Sequence, residues 1–390
     1  MIRTKMCGIA ALVAAIFLPA AACTAAAESF YTEESFYTEE LTVKIPGLTE
    51  EVTLLWVSDL HLIDPEEPDT DEETRQTLRE RREMMCTADG RYADELWEEL
   101  PEYLDALEAD AVLFGGDMLD YMSESGIATL EEGLSRLSTP WLYIRADHDY
   151  GRWYDQTGMS KETMRALHAG VDELCEPWVH ADCSEAAQVL AEMTQSQPEE
   201  DAQSEGADRP TESAQNEDAG QQAEAGTAED AEETSAGDLR TIGFLTGDNP
   251  VPAVWVKDFG SFIVAGLNNS TSQASEAALE AMRAVLEIGR PVILFTHVPL
   301  CSLTDDTLAE RSREGWGDRV LAWGDGGWYE PDATTQQFLD LVTAQDSPVA
   351  AVLSGHLHFS WDGELTGTAR EHVFDAAFRG CVGVVQVRAE

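Results

Sequence analysis

The sequence has few basic residues. It contains 24 lysines and arginines against 75 aspartates and glutamates, for a formal net charge of −51. A surface of this charge repels nucleic acid and anionic membranes, which argues against a protein that binds nucleic-acid polymers through its charge. It is compatible with cation accumulation or with a salt-tolerant exterior. The 390 residues, 43% of them hydrophobic, suffice for two average domains or one large α/β domain.

Paired cysteines are also missing. No two cysteines have the Cys-x-x-Cys spacing of a zinc ribbon, and the odd number left after the N-terminal region does not resemble a disulfide framework. Cys175 and Cys183 could pair in an oxidising compartment, and buried free thiols are an equally good interpretation. The cysteines beyond the first 27 residues are Cys86, Cys175, Cys183, Cys301 and Cys381.

A long stretch lacks core-forming residues. Between Thr194 and Asp238 there is no aromatic residue and no leucine, isoleucine or valine. Such a segment buries too little apolar area to offset its conformational entropy, so we predict a disordered acidic insertion over residues 184–239. It is either a solvated surface insertion or, less simply, an interaction arm or ion reservoir.

The N-terminus has the pattern of an export signal over residues 1–27. Arg3 and Lys5 precede an apolar run that is short for a transmembrane helix and is followed by small residues. Cys23, after three alanines, resembles the lipidated cysteine of bacterial lipoproteins. Membrane anchoring through lipidated Cys23, ordinary cleavage with secretion and an uncleaved anchor are the alternatives, and all place the protein outside the cytoplasm. The repeated Glu-Ser-Phe-Tyr-Thr-Glu predicts a tether over residues 28–40.

Residues 41–390 are predicted to fold. Apolar runs alternate with helical patterns in the first half, which favours βαβ units and a largely parallel sheet. Three short β-rich runs between Thr241 and Leu267 favour antiparallel pairing. The last two β runs, His372–Phe378 and Cys381–Arg388, predict a terminal hairpin.

Five apolar runs end in aspartate or histidine. Strands deliver polar groups to a sheet edge in this way, so side chains distant in sequence can meet there. The residues concerned are Asp59, His61, Asp117, Asp147, His297, His356 and His358. Their oxygen and nitrogen donors suit Mn, Fe, Zn and similar ions, and seven of them suffice for two metals that share a carboxylate. Each residue alone is weak evidence; together they predict a metal site.

The ordered set of motifs resembles the calcineurin-like metallophosphoesterase superfamily. The blocks are Asp59-Leu-His61, Gly116-Asp117-Met-Leu-Asp120, Ala146-Asp-His-Asp149, His297 and Gly355-His-Leu-His358. The resemblance implies an α/β (α+β) fold, a two-sheet β-sandwich flanked by helices in four αββα layers. It also implies two divalent or transition metal ions, with Mn, Fe or Zn as candidates, and hydrolysis of a phosphoester by a metal-bound hydroxide.

The resemblance further implies roles for individual residues. The metal ligands carried over are Asp59, His61 and His358 for one ion, Asp147, His297 and His356 for the other, and Asp117 as the bridge between them. His148 would act as general acid or phosphate-binding group near the leaving-group oxygen. Asp120 would hydrogen-bond His148 and raise its pKa. Asp149 carries over no role and is interpreted as a turn residue.

Asp147 departs from the family pattern, which usually has asparagine there. An ionised aspartate holds a cation more strongly but has no hydrogen to donate to a substrate phosphate. Ala146 also replaces the usual glycine and narrows the backbone options. In order of preference, we expect a working enzyme with altered metal preference, a slow enzyme, or a metal-loaded protein that no longer turns over.

The substrate is weakly constrained. The scarcity of basic residues favours a small phosphomonoester or phosphodiester over a long polyanion. Candidate contacts are Arg145, Arg152 and Lys161 for phosphate charge, and Trp153, Tyr154, Trp316, Trp323, Trp328 and Tyr329 for stacking, although packing is the simpler role for the aromatic residues.

Three functions fit the sequence. An exported binuclear-metal phosphoesterase comes first. A non-catalytic metal- or phosphate-binding surface protein on the same fold comes second, because of Asp147. An adhesive or ion-buffering lipoprotein, in which the acidic tract is the functional part, comes third.

Overall fold

The computed structural model describes ten stretches of the chain, from Ser35 onward. They are residues 35–66, 70–151, 161–174, 179–182, 186–195, 241–245, 253–269, 273–301, 306–365 and 369–390. The strands, β1 to β13 in chain order, are Tyr37–Ile45, Val52–Val57, Ala111–Phe114, Trp141–Tyr143, Val179–Asp182, Thr241–Leu245, Val254–Asp258, Ile263–Leu267, Val292–Thr296, Val349–Ser354, Trp361–Glu364, Arg370–Val373 and Cys381–Ala389. The helices, α1 to α8, are Glu72–Met84, Ala93–Ala106, Glu124–Arg136, Lys161–Leu174, Ala186–Gln195, Glu276–Glu287, Thr307–Trp316 and Ala333–Val342.

The N-terminal half builds a five-stranded sheet in the order β1-β13-β2-β3-β4. Strands β2, β3 and β4 are parallel, as the alternation of strands and helices predicted. β3 is buried along its whole length and β2 over its last four residues, which is typical of parallel strands covered on both faces. Their C-terminal ends therefore lie at one edge of this sheet.

The second sheet has eight strands in the order β11-β12-β10-β9-β8-β7-β6-β5. Strands β6, β7 and β8 pair antiparallel, which confirms the prediction for those three runs. The predicted terminal hairpin is wrong. β12 pairs with β10 and β11, whereas β13 pairs with β1 and β2 in the other sheet. A turn of 3-10 helix at Ala377–Arg379 and left-handed Gly380 separate the two strands.

The two sheets pack face to face and each carries helices on its outer face. Between the sheets, a buried apolar cluster takes side chains from both, and the rings of Trp56 and Phe295 meet edge to face at 6.2 Å. Helices α2, α3 and α4 cover the five-stranded sheet, while α5, α6 and α8 cover the other. The expected four-layer αββα sandwich is therefore confirmed.

The predicted domain boundaries need two corrections. β1 begins at Tyr37, so the second copy of the repeat joins the sheet and the tether ends before residue 40. It does so because Phe36 is buried and stacks on Tyr103, with ring centroids 4.8 Å apart. The predicted disordered insertion also began too early, because α5 buries Ala186 and Leu190 against the sheet.

Several sequence predictions fall outside the described residues. The export signal, the first repeat copy and residues 184–185 and 196–239 of the acidic insertion lie there, as do Cys175 and Cys183. Cys86, Cys301 and Cys381 are free thiols. Among the described helices, none has the length and apolar character needed to cross a membrane.

The two copies of the repeat provide a test of where the domain begins. Replacing Phe36 with alanine removes a buried aromatic ring, so we expect the free energy of unfolding to fall by about 3–5 kcal/mol. Phe30, the matching residue of the first copy, is the control. Denaturant unfolding of both variants is the measurement, and equal effects of the two changes would contradict the boundary.

Candidate metal centre

The five predicted strand ends converge. β2, β3 and β4 reach the centre from one sheet, and β9 and β10 reach it from the other. The seven predicted ligands form two groups, and within each group the ligand atoms lie within 4.8 Å of one another; a third such group joins His61 to Asp120 and His148. The first group is Asp59, His61 and His358, and the second is Asp117, Asp147, His297 and His356.

Asp117 lies between the two groups. Its Oδ2 is 3.2 Å from His297 Nε2 and 4.0 Å from His61 Nε2. Its other oxygen accepts a hydrogen bond of 2.9 Å from the backbone N–H of His148. One carboxylate oxygen therefore lies within reach of both groups, which is the position that a bridging ligand needs.

Two carboxylate oxygens at the centre are buried without a hydrogen-bond donor. Asp59 Oδ1 lies 3.3 Å from His358 Nε2 and 4.0 Å from His297 Nε2. Asp147 Oδ1 lies 3.5 Å from His297 Nε2 and 3.8 Å from His356 Nδ1. A buried charge without a partner is costly, and a bound cation at each oxygen would offset that cost. The residues present therefore fit two metal ions.

The backbone at the centre is unusual in conformation. Residues other than glycine rarely adopt the left-handed backbone conformation, and the few that do cluster at functional sites. Five of the seven candidate ligands have a positive φ, between 52° and 69°: Asp59, His61, Asp117, His356 and His358. Gly355 makes room for them, since a Cβ there would lie 2.5 Å from Asp59 Oδ2. The fold holds these loops in shapes that the residues alone would not favour.

Charge at the centre is balanced among acids and imidazoles. Burial alone would raise the pKa values of Asp59 and Asp147, but the neighbouring histidines lower both below the ordinary value. Burial lowers the pKa of His356 to about 4, against the opposing effect of Asp147. Burial also lowers the pKa of His297, but Asp117 and Asp59 outweigh it and hold that pKa well above its ordinary value. The carboxylates are therefore ionised and His356 is neutral near pH 7, as ligands to a metal must be, whereas His297 would release a proton when a cation binds.

His148 and Asp120 lie beside the first group. His148 Nδ1 is 3.2 Å from Asp120 Oδ1, as the resemblance implied, and the same oxygen is 2.8 Å from His61 Nδ1. Burial lowers the pKa of His148, yet Asp117 and Asp120 outweigh it and raise the pKa to about 10. A cation bound by Asp117 would offset part of this rise. Asp120 also accepts a 2.6 Å hydrogen bond from Arg81 Nε.

Asp149 connects the loops that follow β3 and β4. It is fully buried, and its carboxylate accepts backbone hydrogen bonds of 2.9–3.0 Å from Asp117, Leu119 and Ala146. The interpretation as a turn residue understated this role. Asp149 orients the backbone on both sides of Asp117 and Asp147, and no spacing rule in the sequence indicated it.

A cavity of about 590 Å³ opens onto the centre, and arginines line it. They are Arg81, Arg311, Arg319 and Arg379. No motif in the sequence indicated these four arginines, because they come from helices and loops far from the motifs. Arg145, which it favoured, is buried and pairs with Asp172, so that prediction is wrong.

The aromatic candidates divide into two groups. Trp316, Trp328 and Tyr329 line the cavity, whereas Trp323 is buried in the core against Phe338. Arg152, Trp153 and Tyr154 lie outside the described residues, as does the side chain of Lys161.

Comparison with known proteins gave structural matches alone. No family model and no curated protein matches the chain. It is similar to a dimetal phosphatase from Danio rerio (TM-score 0.41, 12% identity, 84% of this chain and 88% of that one). It is also similar to a purple acid phosphatase from yellow lupin seeds (0.41, 10%, 87% and 45%) and to a phosphopantetheinyl hydrolase from Mycobacterium tuberculosis (0.33, 12%, 84% and 91%).

The aligned part of the chain matches less than half of the lupin enzyme. Similarity at TM-scores below 0.5 carries no argument about the chemistry, which rests on the side chains of this chain.

The role of Asp149 is testable by truncation. Asp149→Ala leaves three buried backbone N–H groups without their acceptor, so we expect the free energy of unfolding to fall by at least about 2–3 kcal/mol. We expect metal affinity to fall as well, because both neighbouring loops lose their connection. The control is Asp346→Ala, at an exposed carboxylate, with an expected change within about 0.5 kcal/mol. Similar losses in both variants, measured by denaturant unfolding, would contradict the role.

Proposed function

We propose that the protein is a metal-dependent phosphoric ester hydrolase that acts on a small phosphomonoester or phosphodiester. The observation that carries the proposal is the pair of ligand groups with Asp117 between them and an unpartnered buried carboxylate oxygen in each. An arrangement of this kind suits a pair of divalent ions, and paired ions are typical of enzymes that displace groups at phosphorus.

In this proposal the side chains have separate roles. When bound, the two ions supply a hydroxide nucleophile at neutral pH and neutralise charge on the phosphoryl group. Asp59, His61 and His358 would hold one ion, and Asp147, His297 and His356 would hold the other. Asp117 would contribute to both, while Asp149 fixes the backbone that carries Asp117 and Asp147.

His148 is proposed to protonate the leaving group. Asp120 engages its Nδ1, which leaves Nε2 as the atom that transfers a proton to the leaving-group oxygen. Asp120 is shared with His61 and with Arg81, so one carboxylate orients the acid and a metal ligand together. Its position thereby couples the proton donor to the first ligand group.

The cavity favours a small anionic substrate. Four arginines line it in a chain that has only 24 basic residues. Three of them also pair with acidic side chains, so the positive charge left for a ligand suits one small anion; the pairs are Arg81 with Asp120, Arg311 with Glu314 and Arg379 with Asp375. Arg311 lies over the ring of Phe359 at 5.0 Å and Arg319 over that of Trp328 at 5.8 Å. A long polyanion would meet the acidic surface beyond this opening, whereas a small phosphoester would not.

Hydrolysis of generic aryl phosphate mono- and diesters by the purified, Mn²⁺-supplemented protein is the direct test. We expect turnover, a decrease of about 10²–10⁴-fold in kcat for His148→Ala, and loss of bound metal for Asp117→Asn. His168→Ala changes a histidine that does not line the cavity and is the matched control. Turnover that survives in His148→Ala would remove this residue from the mechanism.

Asp147 favours a second candidate, a metal- or phosphate-binding protein without turnover. Its half-buried carboxylate is ionised, would hold a cation strongly and has no hydrogen to donate to a phosphate. Bound metals with no hydrolysis of any ester would favour this candidate over the enzyme. In the enzyme, we expect Asp147→Asn to bind metal more weakly and to keep measurable turnover, as metal analysis and rate assays would determine.

We also propose that the protein acts outside the cytoplasm, anchored through lipidated Cys23 or secreted. The basic, apolar and small-residue pattern of residues 1–27 supports this. Mass spectrometry of the mature N-terminus would identify a lipidated Cys23, ordinary cleavage or an intact leader.

A further inference from the structure

Tyr329 brings a hydroxyl group to the edge of the metal centre. It lies in the segment between α7 and α8, and its side chain lines the cavity. Its Oη is 3.1 Å from His356 Nε2, and the two rings meet at an angle of 60° with centroids 5.8 Å apart. The hydroxyl therefore forms a hydrogen bond with a candidate ligand while it faces the space where a substrate would bind.

The direction of that hydrogen bond follows from His356. Its Nδ1 lies 3.1 Å from His297 Nε2 and 3.8 Å from Asp147 Oδ1, on the side where the ligand atoms of the second group converge. A ligating nitrogen must present its lone pair, so the hydrogen of the neutral ring is on Nε2. Nε2–H then donates to Tyr329 Oη, and the hydroxyl oxygen is the acceptor.

The hydrogen of the Tyr329 hydroxyl is consequently directed elsewhere. A phenol accepts one hydrogen bond while it donates another, and no protein acceptor for this hydrogen is found among the described residues. Asp147 is close enough to influence the hydroxyl electrostatically and has no hydrogen of its own to donate. The Tyr329 hydroxyl is thus an uncharged hydrogen-bond donor that faces the cavity on this side of the centre.

We propose that Tyr329 is a substrate-binding residue that donates its hydroxyl hydrogen to an oxygen of the bound phosphoryl group. The inference rests on the proposed function for the nature of the ligand, a phosphate held at the second ligand group. In this role Tyr329 supplies an uncharged hydrogen-bond donor, which the ionised side chain of Asp147 cannot supply.

A purely orienting role for Tyr329 predicts a different result. If Tyr329 only positioned His356, its loss would weaken metal binding, because groups that hydrogen-bond a ligating histidine typically change metal affinity by about 10–100-fold. A substrate-binding role predicts weaker phosphate binding even when Mn²⁺ saturates the site, where a fall in metal affinity has no effect. The two roles therefore separate in measurements that need no turnover.

The test is a calorimetric titration of inorganic phosphate into the full-length, Mn²⁺-loaded protein, with Mn²⁺ affinity measured in parallel. Tyr329→Phe removes only the hydroxyl, and Tyr103→Phe, on α2 and outside the cavity, is the matched control. With Mn²⁺ at saturation in every variant, we expect about 10–100-fold weaker phosphate binding for Tyr329→Phe and unchanged phosphate binding for the control.

Two results would overturn the inference: equal phosphate affinities of Tyr329→Phe and the wild type at saturating Mn²⁺, whatever the change in Mn²⁺ affinity, or no phosphate binding by the Mn²⁺-loaded wild type. The outcome is independent of hydrolysis. A wild-type protein that binds phosphate but cleaves no ester would defeat the enzyme proposal, while the ratio of phosphate affinities would still decide the role of Tyr329.

Discussion

Carboxylates and imidazoles are buried close together where the strand ends of the two sheets meet. This clustering of charged groups is the constraint on which the rest of the structure depends. The sandwich delivers five strand ends to one place, and the side chains there cannot satisfy one another completely. Asp59 and Asp147 each retain a buried oxygen without a donor. Because an uncompensated buried charge costs several kcal/mol, bound cations at this edge would offset the cost that the neighbouring histidines leave, and the proposed function follows from such cations.

The surroundings of the centre hold its geometry before any ligand arrives. Asp149 uses its whole carboxylate on backbone N–H groups, and Asp120 connects α1 to two histidines through Arg81. Several ligands lie in left-handed backbone conformations that the packed loops maintain. The ligand residues therefore carry backbone strain, and the packing of the surrounding sandwich offsets it. Such an arrangement is typical of preorganised catalytic centres.

Much of this centre was predictable from sequence, for a physical reason. Strands that end in aspartate or histidine leave a local signature, and parallel pairing brings such ends to one edge. Long-range contacts leave no such signature. Arg145 follows a strand end yet turns into the core toward Asp172, and Tyr329 reaches His356 across 27 residues of loop, helix and strand.

Composition had similar limits at the domain boundaries. The second repeat copy is identical in sequence to the first, yet Phe36 is buried and Tyr37 begins β1. Likewise, α5 lies within a stretch whose average composition indicated disorder, because Ala186 and Leu190 find a sheet to pack against. In both places a few apolar side chains and a specific partner surface outweighed the local average.

The central claim is that the two ligand groups each hold a metal ion with Asp117 between them. Anomalous X-ray scattering from crystals of the Mn²⁺-loaded protein tests it most directly. We expect two anomalous peaks, one among Asp59, His61 and His358 and the other among Asp147, His297 and His356, both within bonding distance of Asp117. A single peak, no peak, or peaks that avoid Asp117 would contradict the claim.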